Sequence, residues 1–151
     1  MINGVMFMNQ QMETVEQMEN TKKLECALGT IPYQDHEVIH FDEGLFGYED
    51  EHEFVLLEDA QYYPFRWLIS VDNPELMFPV VNPKEVLPDY HPSIQELNHW
   101  DFLVNIVTLG EAIHDVTVNL RAPILMKKVP RRAKQTILTD SNYSLRYNLF
   151  K

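Results

Sequence analysis

Short apolar runs recur along this chain at roughly ten-residue spacing, and turn-forming residues separate them. Thr21–Ala27 reads as a first strand, Gly29 as a turn, and Ile31-Pro32-Tyr33 as extended chain. His36–Phe41 runs polar, polar, apolar, apolar, polar, apolar around a β-branched centre. Glu53–Leu57, Phe65–Val71 and Leu76–Val81 are of strand length, punctuated by Pro64, Pro74 and Asn82-Pro83. Phe102–Leu109 and Val116–Leu120 alternate, and Ile124–Met126, Gln135–Leu138 and Tyr143–Leu149 complete the set. The pattern predicts an all-β protein: a small antiparallel β-barrel-like or sandwich domain of about eight to ten short strands. The alternation predicts strands with one face buried and the other wet.

Two stretches depart from this rhythm. Between residues 83 and 100, Pro83, Pro88 and Pro92 forbid a central strand. Ser93-Ile94-Gln95-Glu96 fits a capping box there and predicts one short helix from Ile94 to about Asn98. Residues 1–18 hold five of the seven methionines with no periodicity, and they read as a mobile or weakly helical extension. A start at Met12 or Met18 is the alternative. The remainder, 19–151, is expected to be one β domain, since 151 residues suit a single core.

Charge changes the picture more than overall composition does. The net charge is −11, and it is unevenly spread. Residues 35–115 contain 18 Asp or Glu against Arg66 and Lys84, whereas residues 116–151 contain eight Lys or Arg against Asp140. The middle is therefore about −16 and the tail about +7. An acidic body repels nucleic acid and attracts basic proteins. The tail's charges are expected to pair with the acidic middle or to solvate the chain. No apolar run approaches the roughly 20 residues that span a bilayer, and the N-terminus lacks a basic start and a long apolar stretch. A single cysteine, Cys26, excludes an internal disulfide. Cytoplasmic residence is the expectation.

Catalytic motifs are sparse. His36-Glu37-Val38-Ile39-His40 matches the letters of a zinc-protease motif. That chemistry needs a helix, which brings positions i and i+4 within about 5–6 Å on one face. A β-like segment holds the two histidines ~13 Å apart, too far to share a metal. A metal-dependent hydrolase using His36 and His40 is the minor alternative; the main expectation is no catalytic residue, metal or cofactor. No nucleophile elbow surrounds Ser70, Ser93, Ser141 or Ser144, and Gly44–Gly47 lacks the Lys-Ser/Thr of a phosphate loop. Asn119 and Arg121 are polar positions bracketed by apolar strand residues, and Pro123 suits an edge strand or a bulge. These three either shape a strand end or anchor a partner.

Five motifs occur in order: Phe41-x-x-Gly44-Leu45-x-Gly47-Tyr48, Asn73-Pro74-Glu75-Leu76-x-Phe78, Pro88-Asp89-Tyr90, Val116-Thr117-Val118-Asn119-Leu120-Arg121-Ala122-Pro123 and Gln135-x-Ile137-Leu138. Each is weak alone. Together, over about residues 20–150, the chain closely resembles the bacterial flagellar assembly factor FliW family. It departs from the family at Phe46, where proline is usual, and in residues 1–18, which the family typically lacks.

The resemblance implies a small β-barrel-like domain without enzyme activity, monomeric on its own, that binds flagellin in the cytoplasm. It also implies binding to CsrA, a dimeric RNA-binding repressor of flagellin translation, so that flagellin export and synthesis are coupled. CsrA could be blocked by covering its RNA surface or from a distance, and the resemblance leans toward the second. A flagellin chaperone without regulatory action is the alternative. Direct contact with nucleic acid or membrane is not expected. The expected partner-binding residues fall in three segments. The first is the proline-stiffened loop Asp89, Tyr90 and His91, unless Tyr90 tucks into the core. The second is Asn119, Arg121 and Pro123, and the third is Phe46 and Tyr48 on the Gly44–Tyr48 loop.

Overall fold

The computed structural model describes residues 20–139 and 142–150; the extension expected at 1–18 lies outside them. The strands are β1 (Lys22–Cys26), β2 (Gly29–Tyr33), β3 (Ile39–Phe41), β4 (Glu53–Leu57), β5 (Phe65–Ser70), β6 (Met77–Val81), β7 (Phe102–Thr108), β8 (Thr117–Val118), β9 (Ile124–Lys127), β10 (Arg132–Gln135) and β11 (Tyr147–Asn148). One short helix, α1 (Pro83–Val86), follows β6. Seven strands close a barrel in the order β7-β6-β5-β4-β3-β10-β9, and β9 returns to β7 through Phe102↔Met126, Leu103↔Leu125 and Val104↔Ile124. Among the described residues, the expected small β barrel with one short helix is therefore present. One pairing differs from the antiparallel expectation: β3 and β10 run parallel, through Arg132↔His40 and Ala133↔Phe41.

Alternate residues of the ring point inward and fill it. Ile39, Phe41, Phe54, Leu68, Val80, Val104, Ile124, Met126 and Ala133 form the interior, with Phe41 and Phe54 edge-to-face at 4.9 Å. The outward residues are not all wet, contrary to the one-face expectation. Val55, Ile69, Leu57 and Trp67 face outward and pack with Leu24, Ile31 and Tyr33 of the β1–β2 hairpin. On another side, Val81, Leu103, Val107 and Leu125 lie beneath Val86, Leu87, Ile94, Leu97 and Trp100. Burial on both faces explains why Glu53–Leu57 and Phe65–Ser70 read as nearly continuous apolar runs.

The helix predicted at Ile94–Asn98 is not there. Only a three-residue 3-10 turn, Leu97–His99, occupies the region. Ile94, Leu97 and Trp100 recur every third residue and all pack on the same outer cluster. Three residues per turn keeps that spacing on one face, whereas 3.6 rotates it away. The helix forms instead at Pro83–Val86, where the Asn82 side chain accepts the Lys84 amide at 3.0 Å and Pro83 takes the first position.

One end of the barrel is plugged by the loop 42–51. Its Leu45 is buried in the interior cluster, and Tyr48 stacks edge-to-face on Phe78 at 5.1 Å. The loop turns at Gly44 (φ 66°) and Gly47 (φ 88°). A Cβ on Gly44 would lie 2.7 Å from the Tyr48 and Glu49 carbonyl oxygens, while one on Gly47 would meet nothing within 4 Å. Gly44→Ala should therefore lower unfolding stability by about 2 kcal/mol or more, and Gly47→Ala by only about 1 kcal/mol. Equal losses in chemical denaturation would show that the plug tolerates a side chain at Gly44.

Candidate functional site

The three segments singled out from the sequence meet through one hydrogen-bonded knot on the flank of the barrel. Its centre is Asn105, a fully buried polar residue in the middle of β7. Asn105 Nδ2 donates to the Asn119 carbonyl at 2.9 Å and to the Tyr90 hydroxyl oxygen at 3.3 Å. The Tyr90 hydroxyl in turn donates to the Leu120 carbonyl at 2.7 Å. Tyr90 is only 9% exposed and meets the ring of Tyr143 edge-to-face at 4.8 Å. It is the root of its loop, while its neighbours Asp89 and His91 stand exposed on either side.

The second segment is held by its own side chains. Asn119 Oδ1 accepts the amides of Arg121 and Ala122, both at 3.0 Å, and so turns the chain between β8 and β9. Arg121 Nε donates to the Tyr143 carbonyl at 3.0 Å, tying the C-terminal segment to this turn. Pro123 is buried and its carbonyl accepts the Thr136 amide at 3.0 Å. These geometries favour the strand-shaping reading of Asn119, Arg121 and Pro123. The third segment joins through Gln135, whose Nε2 donates to the Ala122 carbonyl at 3.2 Å and whose Oε1 accepts the Phe46 amide at 2.9 Å. Phe46 and Tyr48 are 49% and 43% exposed.

The knot thus separates two kinds of residue. Tyr90, Asn119, Arg121 and Pro123 fix the backbone, and Asp89, His91, Phe46 and Tyr48 present side chains to solvent. A cleft of about 380 Å³ opens beside Asp89 and Tyr90, lined also by Leu87, Tyr143 and Tyr147. A neighbouring one of about 340 Å³ lies between His91 and Ile137. Reading of the sequence missed Asn105, Tyr143 and the bridging role of Gln135. A signal was present for Asn105, a lone amide inside Phe-Leu-Val-Asn-Ile-Val-Thr, because a buried polar group must find partners.

The metal alternative does not find its geometry. His36 lies in the 3-10 turn Asp35–Glu37 and His40 on β3, so the segment is neither one helix nor one strand. Val38 ends the turn and buries against the β1–β2 hairpin, which breaks the strand expected over His36–Phe41. Among the described residues, no group of three or more His, Cys, Asp or Glu could hold a metal ion. Part of the basic tail does pair with the acidic middle, as expected: Arg132 with Asp42, and Lys134 with Glu96 at 3.4 Å.

Burial pushes the Tyr90 hydroxyl up to about 12, the Asn105 hydrogen bond opposing and Tyr143 adding to the rise. A raised value means that the folded state favours the protonated phenol. The stabilisation is whole below pH ~10, the ordinary tyrosine value, and is lost as pH rises through about 12. Stability should therefore fall over that window in the parent chain and fall less in Tyr90→Phe, which at neutral pH should lose about 1 kcal/mol. An unchanged alkaline profile in Tyr90→Phe would mean that Tyr90 does not control it. Asn119→Ala, which orphans two amides, should cost about 1–3 kcal/mol in thermal or denaturant unfolding; a loss near zero would show that the turn holds without its side chain.

Comparison with known proteins places this geometry in a lineage. A model of the family described as FliW protein matches residues 22–149. The flagellar assembly factor FliW of Caldanaerobacter subterraneus subsp. tengcongensis is 34% identical over 143 residues, 87% of this chain and 92% of the relative. That of Thermotoga maritima is 32% identical over 133 residues, 81% of this chain and 89% of the relative. A crystal structure of the flagellar assembly factor FliW superposes with a TM-score of 0.77 at 31% identity, covering 86% of this chain and 98% of the other. With its barrel, its plug and its knotted motifs all inside the matched span, the chain belongs to the FliW family.

Proposed function

We propose that this protein acts in the cytoplasm as a flagellar assembly factor that binds flagellin and, in its absence, captures and antagonises the translational repressor CsrA. Family membership supports the assembly role. The acidic surface is the observation that carries the regulatory half. Of the 18 Asp and Glu between residues 35 and 115, five pair with Lys or Arg among the described residues: Asp35, Asp42, Glu58, Glu85 and Glu96. Thirteen remain to project a field, which draws in a basic RNA-binding protein and repels RNA. The protein needs no catalytic group or cofactor for this work.

The exposed members of the knotted site, Asp89, His91, Phe46 and Tyr48, are the residues we assign to partner contact. Tyr90, Asn119, Arg121 and Pro123 hold them in place. A loop rooted by a buried hydroxyl loses little entropy on binding, and exposed aromatics are the side chains most often found at interface centres. Among the described residues, no helix is long and apolar enough to cross a membrane.

Calorimetric titration with purified flagellin and with CsrA tests the proposal. Each should bind, prior saturation with one should abolish the heat of the other, and CsrA binding should weaken as salt rises. Phe46→Ala with Tyr48→Ala should weaken at least one complex by about 2 kcal/mol, near thirtyfold, if these rings are anchors. Binding of flagellin without any binding of CsrA would leave a chaperone and sink the regulatory half. No binding of either would sink the whole.

A further inference from the structure

The plug formed by Leu45 closes one end of the barrel, and among the described residues nothing equivalent closes the other. There the last interior residues are Ile39, Leu56, Phe102 and Met126, which floor a cleft of about 950 Å³. Leu56 and Phe102 are only partly covered. The β9–β10 hairpin overhangs the cleft, and Val129 at its tip is 83% exposed. The hairpin is also the most basic segment of the molecule, with Lys127, Lys128, Arg131, Arg132 and Lys134 within eight residues.

The charges around this cleft do not cancel. Its lining includes three carboxylates, and each already has a cation: Asp35 lies 2.7 Å from Lys22 Nζ, Asp42 pairs with Arg132, and Glu58 lies 3.4 Å from Arg66 Nε. Lys127, Lys128 and Arg131 have no carboxylate within ion-pair distance among the described residues. Arg131 Nη1 reaches only the Glu37 carbonyl, at 3.5 Å. Asp101, just outside the lining, accepts the Lys128 amide at 2.7 Å and so holds the turn. His36 and His40 also line the cleft and add no negative charge.

We propose that this open barrel end is a docking site for an acidic amphipathic peptide segment of a protein partner. Its apolar side would lie on Leu56, Phe102 and Val129, and its carboxylates against Lys127, Lys128 and Arg131. A bare phosphate chain would use the cations and waste the apolar floor. The site rests on the cleft and its unmatched cations alone, not on the acidic surface that draws a basic partner.

The probe is a fluorescent synthetic peptide of about 16 residues, with leucines at helical i, i+3, i+4, i+7 spacing and glutamates elsewhere. A chain of net charge −11 repels such a probe over most of its surface, so saturable binding by anisotropy points to a local exception. Binding is expected, weakened at least about tenfold in the triple variant Lys127→Glu, Lys128→Glu, Arg131→Glu and about threefold in Val129→Ser. All four positions are exposed, so the variants should keep the parent melting temperature. The milder pair Lys127→Gln with Lys128→Gln, which leaves the Arg131 contact in place, should give an intermediate loss. No binding, or binding unchanged in both charge variants, overturns the proposal. Equal binding by a peptide with serine in place of leucine, or by a 16-nucleotide oligouridine, overturns it as well, because either would reveal a plain anion or nucleic-acid site.

Discussion

A ring of seven strands cannot be antiparallel throughout. Direction alternates from neighbour to neighbour, so an odd ring must contain at least one parallel contact to close. Here that contact is the seam between β3 and β10. The seam is also thinly built, since β3 has three residues and pairs through two positions with each neighbour. Much of the rest can be seen as reinforcement of it. The His40 amide donates to the Arg131 carbonyl at 3.1 Å, Arg132 pairs with Asp42, and the Phe46 amide reaches Gln135. The loop 42–51 that leaves β3 folds back over the barrel end and drives Leu45 into the interior. A short strand is tolerable because its flanking segments supply bonds that its own length cannot.

The polar knot around Asn105 solves a different problem. β7 carries the barrel on one face and the outer cluster on the other, so a polar residue there has no water to turn to. A buried amide without partners costs more than a made hydrogen bond contributes. The Nδ2 half of Asn105 meets this by donating to the Asn119 carbonyl and the Tyr90 hydroxyl oxygen, while its Oδ1 is buried without a partner among the described residues. Tyr90 roots the loop that bears the exposed Asp89 and His91. Rigidity at the surface is thereby borrowed from hydrogen bonds made in the interior. Proline at 88, 92 and 123 acts in the same direction, by narrowing the backbone on each side of the knot.

Much of the fold was legible. Phe102–Thr108 has the length and apolar content of a strand and forms the longest one described, and Glu53–Leu57 and Phe65–Ser70 fall where apolar runs place them. Burial on both faces was not, because whether an outward Val55 or Trp67 is wet depends on where the distant β1–β2 hairpin lands. The helix was misplaced because a four-letter capping pattern at Ser93 outweighed Asn82-Pro83, read as a mere stop to a strand. At the candidate site, the sequence singled out three segments but not how their residues divide between interior and surface. Nothing local says that Tyr90 points inward while Asp89 and His91 point out; that follows from the Leu120 carbonyl, thirty residues away. His36 and His40 had the letters of a metal motif, and the strand reading was also only half right, since Val38 is the pivot between a turn and β3.

The gathering of cations on a single hairpin has a consequence for how the molecule moves toward others. With Lys127, Lys128, Arg131, Arg132 and Lys134 at one end and most carboxylates elsewhere, the centres of positive and negative charge do not coincide. The protein then carries an electric dipole as well as a net charge, and the dipole exerts a torque in the field of any charged body nearby. A cationic partner would meet it turned with the hairpin trailing, an anionic one with the hairpin leading. Tumbling is biased before contact, which shortens the orientational search that limits most protein encounters.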